Sequence, residues 1–528
     1  MRKLSRIFTI IALTSSAVCA LHAAEWQWSV SLPGTWSADT ESEKEAFLWI
    51  PPTCLHVNAV LIAQQNMTEE VMLRSEMFRN EMERLGVALL FIAPDLDLQW
   101  DVNNGCQQHF ERMLDTLSVV SGYGELSRAP IIPFGHSAQA TFPWNFAAWN
   151  PERTLCILSY HGDAPRTNLC GYGRENLEWG RTRNIDGIPG LMIEGEYEWW
   201  EARVNPALSF RMMYPESCIS FLCDAGRGHF DLCDATLHYM ALFIEKAIQM
   251  RLMPEGLAKV SVSEGWLADR WRDNQRHRPT AAPYDRYKGD PHDAFWYPDK
   301  EMALLTEQRY SKTRRKKSQY LSFEQKGVRV KYDPDSHVKM NIPFRPEDDG
   351  VTFHLKAVFT DESRNASSTC HVSTAPRIRV VSGPCIQIND TTFRLAFYCT
   401  GLSNKRRWGG ITLCAECDGD KHYKSAVQEI NIQVPLNDTG ERQTIAFNTP
   451  KPIGEGRWRL DAQSSAGLPV SYYVKHGPAH IEGDMLVLHD APPRTSYPLE
   501  VSVVAWQHGI QGQVCSAKPV EQRILIQQ

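Results

Sequence analysis

The chain has 528 residues, 43% of them hydrophobic and 22% charged, with a formal net charge of −6. This is the balance of a water-soluble protein large enough for two or three domains, and it excludes a nucleic-acid binder held by bulk positive charge. Its 14 cysteines stand at spacings that match no compact disulfide scaffold, which excludes a small cross-linked fold.

At the start, Arg2, Lys3 and Arg6 precede an apolar stretch from Ile7 to about Cys19 and small residues up to Ala24. The pattern predicts a cleaved secretory signal over 1–24 and an exported protein, whether periplasmic, secreted or at the cell surface. Thr9, Thr14, Ser15 and Ser16 interrupt a run shorter than the roughly 20 apolar residues of a membrane span, so no transmembrane helix is expected in the mature chain.

From Trp26 to about Leu252, strand-like and helix-like runs alternate. Strands are expected at Trp26–Leu32, Glu45–Ile50, Val57–Ile62, Val87–Ala93, Ile131–Phe134, Thr154–Tyr160, Pro189–Ile193 and Ile219–Leu222. Helices are expected from Glu69 to about Leu85, around Phe110, Met113, Leu114 and Leu117, and from Leu232 to Leu252. Such an order predicts a doubly wound, mostly parallel sheet covered on both faces, with ligands bound outside the carboxyl ends of its strands.

One of those ends carries Gly135-His136-Ser137-Ala138-Gln139, where an apolar strand breaks at a glycine and leads into a helix. This is the place of a nucleophile elbow, a strained turn that exposes a serine at a helix N-terminus. Gln139 stands where that pattern has a second glycine, Pro133 lies in an expected central strand, and Pro143 falls in the following helix, where an interior position would cost about 3 kcal/mol. A serine nucleophile needs a base and a group that orients the base. His229, in Gly226-Arg227-Gly228-His229-Phe230, follows the last strand and is the expected base, with His161 and His136 as rivals. For the acid, Glu194-Gly195-Glu196-Tyr197-Glu198 ends another strand. Glu198 is chosen, and Glu196 is the alternative. Oxyanion donors are expected at the amide of Ala138 and in the neighbourhood of Gln65 and Asn66.

The order Ser137, Glu198, His229 on this alternation resembles the α/β-hydrolase superfamily, similar to its dienelactone-hydrolase-like and carbohydrate-esterase-like members, over about residues 25–255. The resemblance implies Ser137 as nucleophile, His229 as general base and then acid, Glu198 as its orienting carboxylate, and a compact esterase with little lid.

Residues 258–335 read as an extension with a helix at Asp299–Tyr310, its Trp266, Trp271 and Trp296 packing on the preceding domain. The basic stretch Lys312–Lys317 reads as a solvated linker or helix end. Beyond it, Val351, Phe353, Leu355, Ala357 and Phe359 alternate with period two, and short strands recur between turn residues, predicting β-sandwiches over 336–450 and 451–528. Ala466–Val474 with Gly477-Pro478-Ala479 resembles bacterial immunoglobulin-like repeats. No cofactor and no metal site is expected: Asp234 and His238 read as a surface pair, and Cys414 and Cys417 as strand thiols. Together these predict a catalytic α/β domain over 25–257 followed by all-β domains, acting on a small-molecule or polymer-borne ester, with acylated polysaccharide the candidate polymer. An inactive hydrolase-fold binding or adhesion protein and a serine peptidase are the alternatives.

Overall fold

A computed structural model describes residues 25–32, 44–167, 175–198, 200–270, 278–398 and 409–528. The expected signal segment and Trp271 lie outside the described residues.

Eight strands form the main sheet: β1 (Trp28–Leu32), β2 (Lys44–Trp49), β3 (Ala59–Gln64), β4 (Val87–Ala93), β5 (Ile131–His136), β6 (Ile157–Tyr160), β7 (Pro189–Gly195) and β8 (Cys218–Asp224). Their order is β1-β2-β4-β3-β5-β6-β7-β8, with β2 antiparallel to β1 and β4 and the remaining pairs parallel. A sheet covered on both faces needs strands that are apolar on both sides, and these are. Leu61, Ala63, Leu89 and Phe91 point into one layer, while Val60, Ile62, Leu90 and Ile92 point into the other.

The first layer is closed by helices α1 (Glu69–Arg74), α2 (Glu76–Leu85), α5 (Trp200–Met213) and α6 (Asp234–Arg251), through residues such as Met72, Phe78, Phe210 and Phe243. The second is closed mainly by α3 (Cys106–Ser121), through Phe110, Met113, Leu114 and Leu117. The single helix expected over 69–85 is two, because Ser75 leaves the helical region at ψ 121° and its hydroxyl accepts from the amide of Phe78, capping α2. Pro143 also differs from its expected cost. It lies in the first turn of α4 (Phe142–Trp149), where a missing N–H breaks no intrahelical bond.

Between the sheet and the β-rich half, strands Trp266–Asp269 and Ala294–Tyr297 pair beside β8, and α7 (Lys300–Ser311) packs with them. Trp296 is fully buried there, its indole donating to the Val262 carbonyl. A sandwich core then gathers Leu321, Phe323, Phe353, Phe393, Leu413 and Ile430. Its period-two run splits at Leu355: Thr352–His354 pairs with the strand at Thr392–Leu395, and Lys356–Thr360 pairs with the strand at Tyr320–Gln325. The chain thus passes from one sheet to the other. A second core, with Leu486, Val501, Val503 and Ala505, follows. It packs back against the start of the main sheet, where Gly477 N–H donates to Trp26 O and Lys475 pairs with Glu45 at 3.0 Å. The Arg494 guanidinium pairs with Glu125 at 2.8 Å and lies over the Tyr123 ring. The Trp26 and Glu45 contacts lie at β1 and its neighbour β2, the end of the sheet where an unprotected edge strand would invite another chain.

Candidate active site

Three carboxyl ends of the main sheet converge. At the end of β5 the chain turns so tightly that Ser137 has φ +55°, in the left-handed region a residue with a Cβ seldom visits. Gly135 makes the turn feasible: a Cβ there would lie 2.0 Å from the Gln139 carbonyl oxygen. Clearance at the next strand comes from Gly162, where a Cβ would lie 1.9 Å from the Ala140 Cβ. Close approach is therefore supplied at 135 and 162, and Gln139 occupies the place of the pattern's second glycine without obstructing it. The Gln139 side chain is fully buried, and its Oε1 accepts from Gln64 Nε2 at 3.3 Å.

At the end of β7, Gly195 N–H donates back to Glu198 Oε1 at 2.9 Å, curling the acidic segment under the loop that follows β8. A Cβ on Gly195 would lie 2.7 Å from the Gly228 carbonyl oxygen, so the two loops meet at a distance that only glycine permits. The β8 loop is closed by Gly228 N–H on Asp231 Oδ1 at 3.1 Å and carries His229. Ser137 Oγ and His229 Nε2 are 2.8 Å apart, and His229 Nδ1 and Glu198 Oε2 are 2.5 Å apart. Glu196, the alternative acid, faces away. It accepts from Gly226 N–H at 2.8 Å and pairs with Lys424 at 2.6 Å.

Burial alone would raise the Glu198 carboxyl, but the imidazoles of His161 and His229 outweigh it and hold the group well below the usual carboxylate range. Glu194, fully buried beside it, moves the other way. Desolvation pushes it up to about 8 despite Arg203 at 2.6 Å. His136 and His161 both surround His229: His136 Nε2 lies 2.8 Å and His161 Nδ1 lies 3.0 Å from the His229 carbonyl oxygen. A carbonyl only accepts, so both nitrogens carry hydrogens. Burial drives His136 well below the ordinary histidine value, leaving it neutral. Ring nitrogens of His136, His161 and His229 come within 4.8 Å of one another, close enough for a metal ion. His136 Nε2 and His161 Nδ1 are engaged by the His229 carbonyl and, for His161, by Glu198, while His136 Nδ1 and His161 Nε2 are buried without a hydrogen-bond partner.

Ala138 is the second residue of the turn Ser137–Gln139, whose leading amides have no acceptor within the turn. The Gln65 amide is committed to Ile92 O at 2.8 Å, while the Asn66 side chain donates to His136 O at 2.8 Å.

The sheet order, the left-handed serine after β5 and the loops after β7 and β8 decide the architecture. It is the α/β-hydrolase fold. No protein-family model and no curated protein matches the sequence. Among solved structures, the chain is similar to Est1E from Butyrivibrio proteoclasticus at 14% identity, over 42% of this chain and 99% of that one, with a TM-score of 0.28. It is likewise similar to a dienelactone hydrolase from Anabaena variabilis at 18% identity, over 45% and 100%, with a TM-score of 0.28. A fluorophosphonate-binding serine hydrolase of Staphylococcus aureus matches at 11% identity, over 42% and 97%, with a TM-score of 0.29.

Sequence reasoning missed the wall that the first sandwich builds around this site. Arg227 pairs with Glu416 at 2.9 Å, Tyr197 donates to Ser425 O at 2.7 Å, and the His337 ring lies edge-on to His229 and Phe230 at 5.9 and 5.1 Å. These contacts join residues some 110 to 230 positions apart, and no local pattern carries such a signal.

Proposed function

We propose that the chain is an exported serine hydrolase that cleaves carboxylic esters through Ser137, His229 and Glu198. The observation that carries this reading is the relay of hydrogen bonds from Ser137 Oγ to His229 Nε2 at 2.8 Å and from His229 Nδ1 to Glu198 Oε2 at 2.5 Å. His229 takes the Ser137 proton as the hydroxyl oxygen attacks the ester carbonyl, and Glu198, kept ionised, holds the ring in the tautomer whose Nε2 can accept. The negative oxygen of the tetrahedral intermediate is met by the Ala138 amide. His229 then returns the proton to the departing alcohol. Water, activated by the same imidazole, attacks the acyl group on Ser137, and the acid is released.

A polymer-borne ester such as an acylated polysaccharide is the substrate class that an exported esterase built with β-sandwiches suits best. Fluorophosphonate labelling of wild type, Ser137→Ala and His229→Ala tests the chemistry. Wild type is expected to label and both variants to lose labelling, after which acetyl, feruloyl and aryl esters define the acyl group. A folded wild type that does not label refutes the reading and favours a binding protein on a silent hydrolase fold.

A further inference from the structure

Glu198 serves two imidazoles. Its Oε2 faces His229 Nδ1 and, at 3.2 Å, Arg203 Nη1; its Oε1 takes the Gly195 amide and lies 2.9 Å from Nδ1 of His161. Ester hydrolysis by a serine, a histidine and a carboxylate has no step that calls for the second ring. We propose that His161 is a positioning residue of this site, anchoring one oxygen of Glu198 so that the other stays turned toward His229. The proposal rests on the reading of Ser137, His229 and Glu198 as a hydrolase triad.

The backbone gives the first support. His161, just past β6, has φ +52°, a left-handed conformation that a residue with a Cβ adopts only where the surroundings impose it. Its amide extends the pairing with β7 by donating to Ile193 O at 2.7 Å, and the turn carries the ring into the fully enclosed space beneath the catalytic histidine. Hydrogen bonding gives the second. The one Nδ1 hydrogen is shared between Glu198 Oε1 and the His229 carbonyl, so a single ring holds the side chain of the acid and the main chain of the base.

Charge gives the third. His161 is faced by Glu198 and Glu194 from the end of β7, by His229 and Asp231 from the loop after β8, and by His136 from β5, while Arg203 reaches both glutamates from α5. Burial would strip its proton, but the adjacent Glu198 outweighs burial and pushes the ring up to about 9, so it is an imidazolium at neutral pH. Its centroid is 5.9 Å from that of His229. A fixed cation there holds Glu198 in its ionised form and so secures the acceptor for His229 Nδ1.

His161→Asn separates the effects, because asparagine tolerates the left-handed backbone and keeps a donor without the charge. With a soluble aryl ester, kcat is expected to fall about tenfold or less while KM stays within about twofold of wild type. His161→Phe, lacking donor and charge, is expected to lose roughly a hundredfold in kcat with KM likewise unmoved. A folded Phe variant with wild-type kcat overturns the proposal. Should the variants not fold, nitrogen-15 spectra of histidine-labelled wild type decide: both His161 ring nitrogens protonated at pH 7 supports the proposal, and a neutral ring overturns it. A wild type that neither labels with fluorophosphonate nor cleaves esters removes the triad reading and this proposal with it. Labelling with an unmoved kcat in the Phe variant removes this proposal alone.

Discussion

Gly162→Ala probes how the serine turn closes without the second glycine of the elbow pattern. The added Cβ would lie 1.9 Å from the Ala140 Cβ, 3.3 Å from its Cα and 3.4 Å from the Ser137 carbonyl oxygen. Carbons in contact rest at about 3.5–4.0 Å, so β6 or the serine turn must retreat by roughly 2 Å. Overpacking of this kind costs about 1–3 kcal/mol. The upper end applies here, since Ala140 is fully buried and its methyl cannot swing aside as the tip of a long side chain would. A loss near 3 kcal/mol lowers the melting temperature of a unit this size by about 6–12 °C. Because the turn that moves holds Ser137, ester hydrolysis should fall by roughly a hundredfold. Ala140→Gly removes the opposing methyl, so the double variant should recover most of both losses, a strong non-additivity that thermal melts and initial rates both read. A Gly162→Ala variant that melts and works like wild type, or a double variant no better than the sum of the singles, refutes the steric account.

The two glutamates on the β7 loop should separate cleanly. Glu198→Gln is expected to lower kcat by about three to four orders of magnitude, as loss of an orienting carboxylate does, with folding retained on circular dichroism. Glu196→Gln should keep fluorophosphonate labelling and lower the melting temperature, because it weakens the 2.6 Å pair with Lys424 that ties the loop to the sandwich. Burial first, and then Asp231, push the Glu429 carboxyl from the usual 4.5 up to about 7, its Oε1 being enclosed although the side chain as a whole is only part-buried. Between those two values the folded protein holds a proton that the unfolded chain has lost, so the stability this group contributes falls as pH rises through the interval. Glu429→Gln should therefore raise the melting temperature relative to wild type at pH 8 and leave it unchanged at pH 4. The same gain at both pH values would contradict this.

What was legible in the sequence is what a period and a punctuation mark encode. Apolar runs such as Val87–Ala93, buried from end to end, announce strands from the interior of a covered sheet, and Gly135 with Ser137 marks the turn at the end of another. A glycine count alone misjudged the elbow, because the clearance that Gln139 does not give is supplied by Gly162, 23 residues away and just past the end of the next strand. Pro143 looked costly only because the start of α4 was not fixed by any capping residue: Thr141 makes no side-chain cap bond, and the helix begins one residue before the proline. The run from Val351 to Phe359 kept its inward-facing pattern through a change of sheet, since a period of two reports which side is buried and not which strand is the partner.

The least legible feature bears most on how the site works. The loop that carries His229 is cast against the sandwich at atomic distance: a Cβ on Gly226 would lie 1.8 Å from Ser425 Oγ, and one on Gly228 would lie 2.5 Å from Glu429 Oε1. On its other side the same loop meets Gly195, and its His229 carbonyl is held by His136 and His161. Loops at the carboxyl end of such sheets are ordinarily the mobile part of the fold. Here the β8 loop has a packed surface on both faces, so the imidazole is placed by two folding units together. An appended module that only tethered the enzyme would touch it through a linker and leave that loop bare. The ion pairs Arg227–Glu416 and Lys424–Glu196 instead bind the sandwich to the two loops that present His229 and Glu198, which makes the sandwich, with its His337 ring edge-on to His229, a structural part of the site.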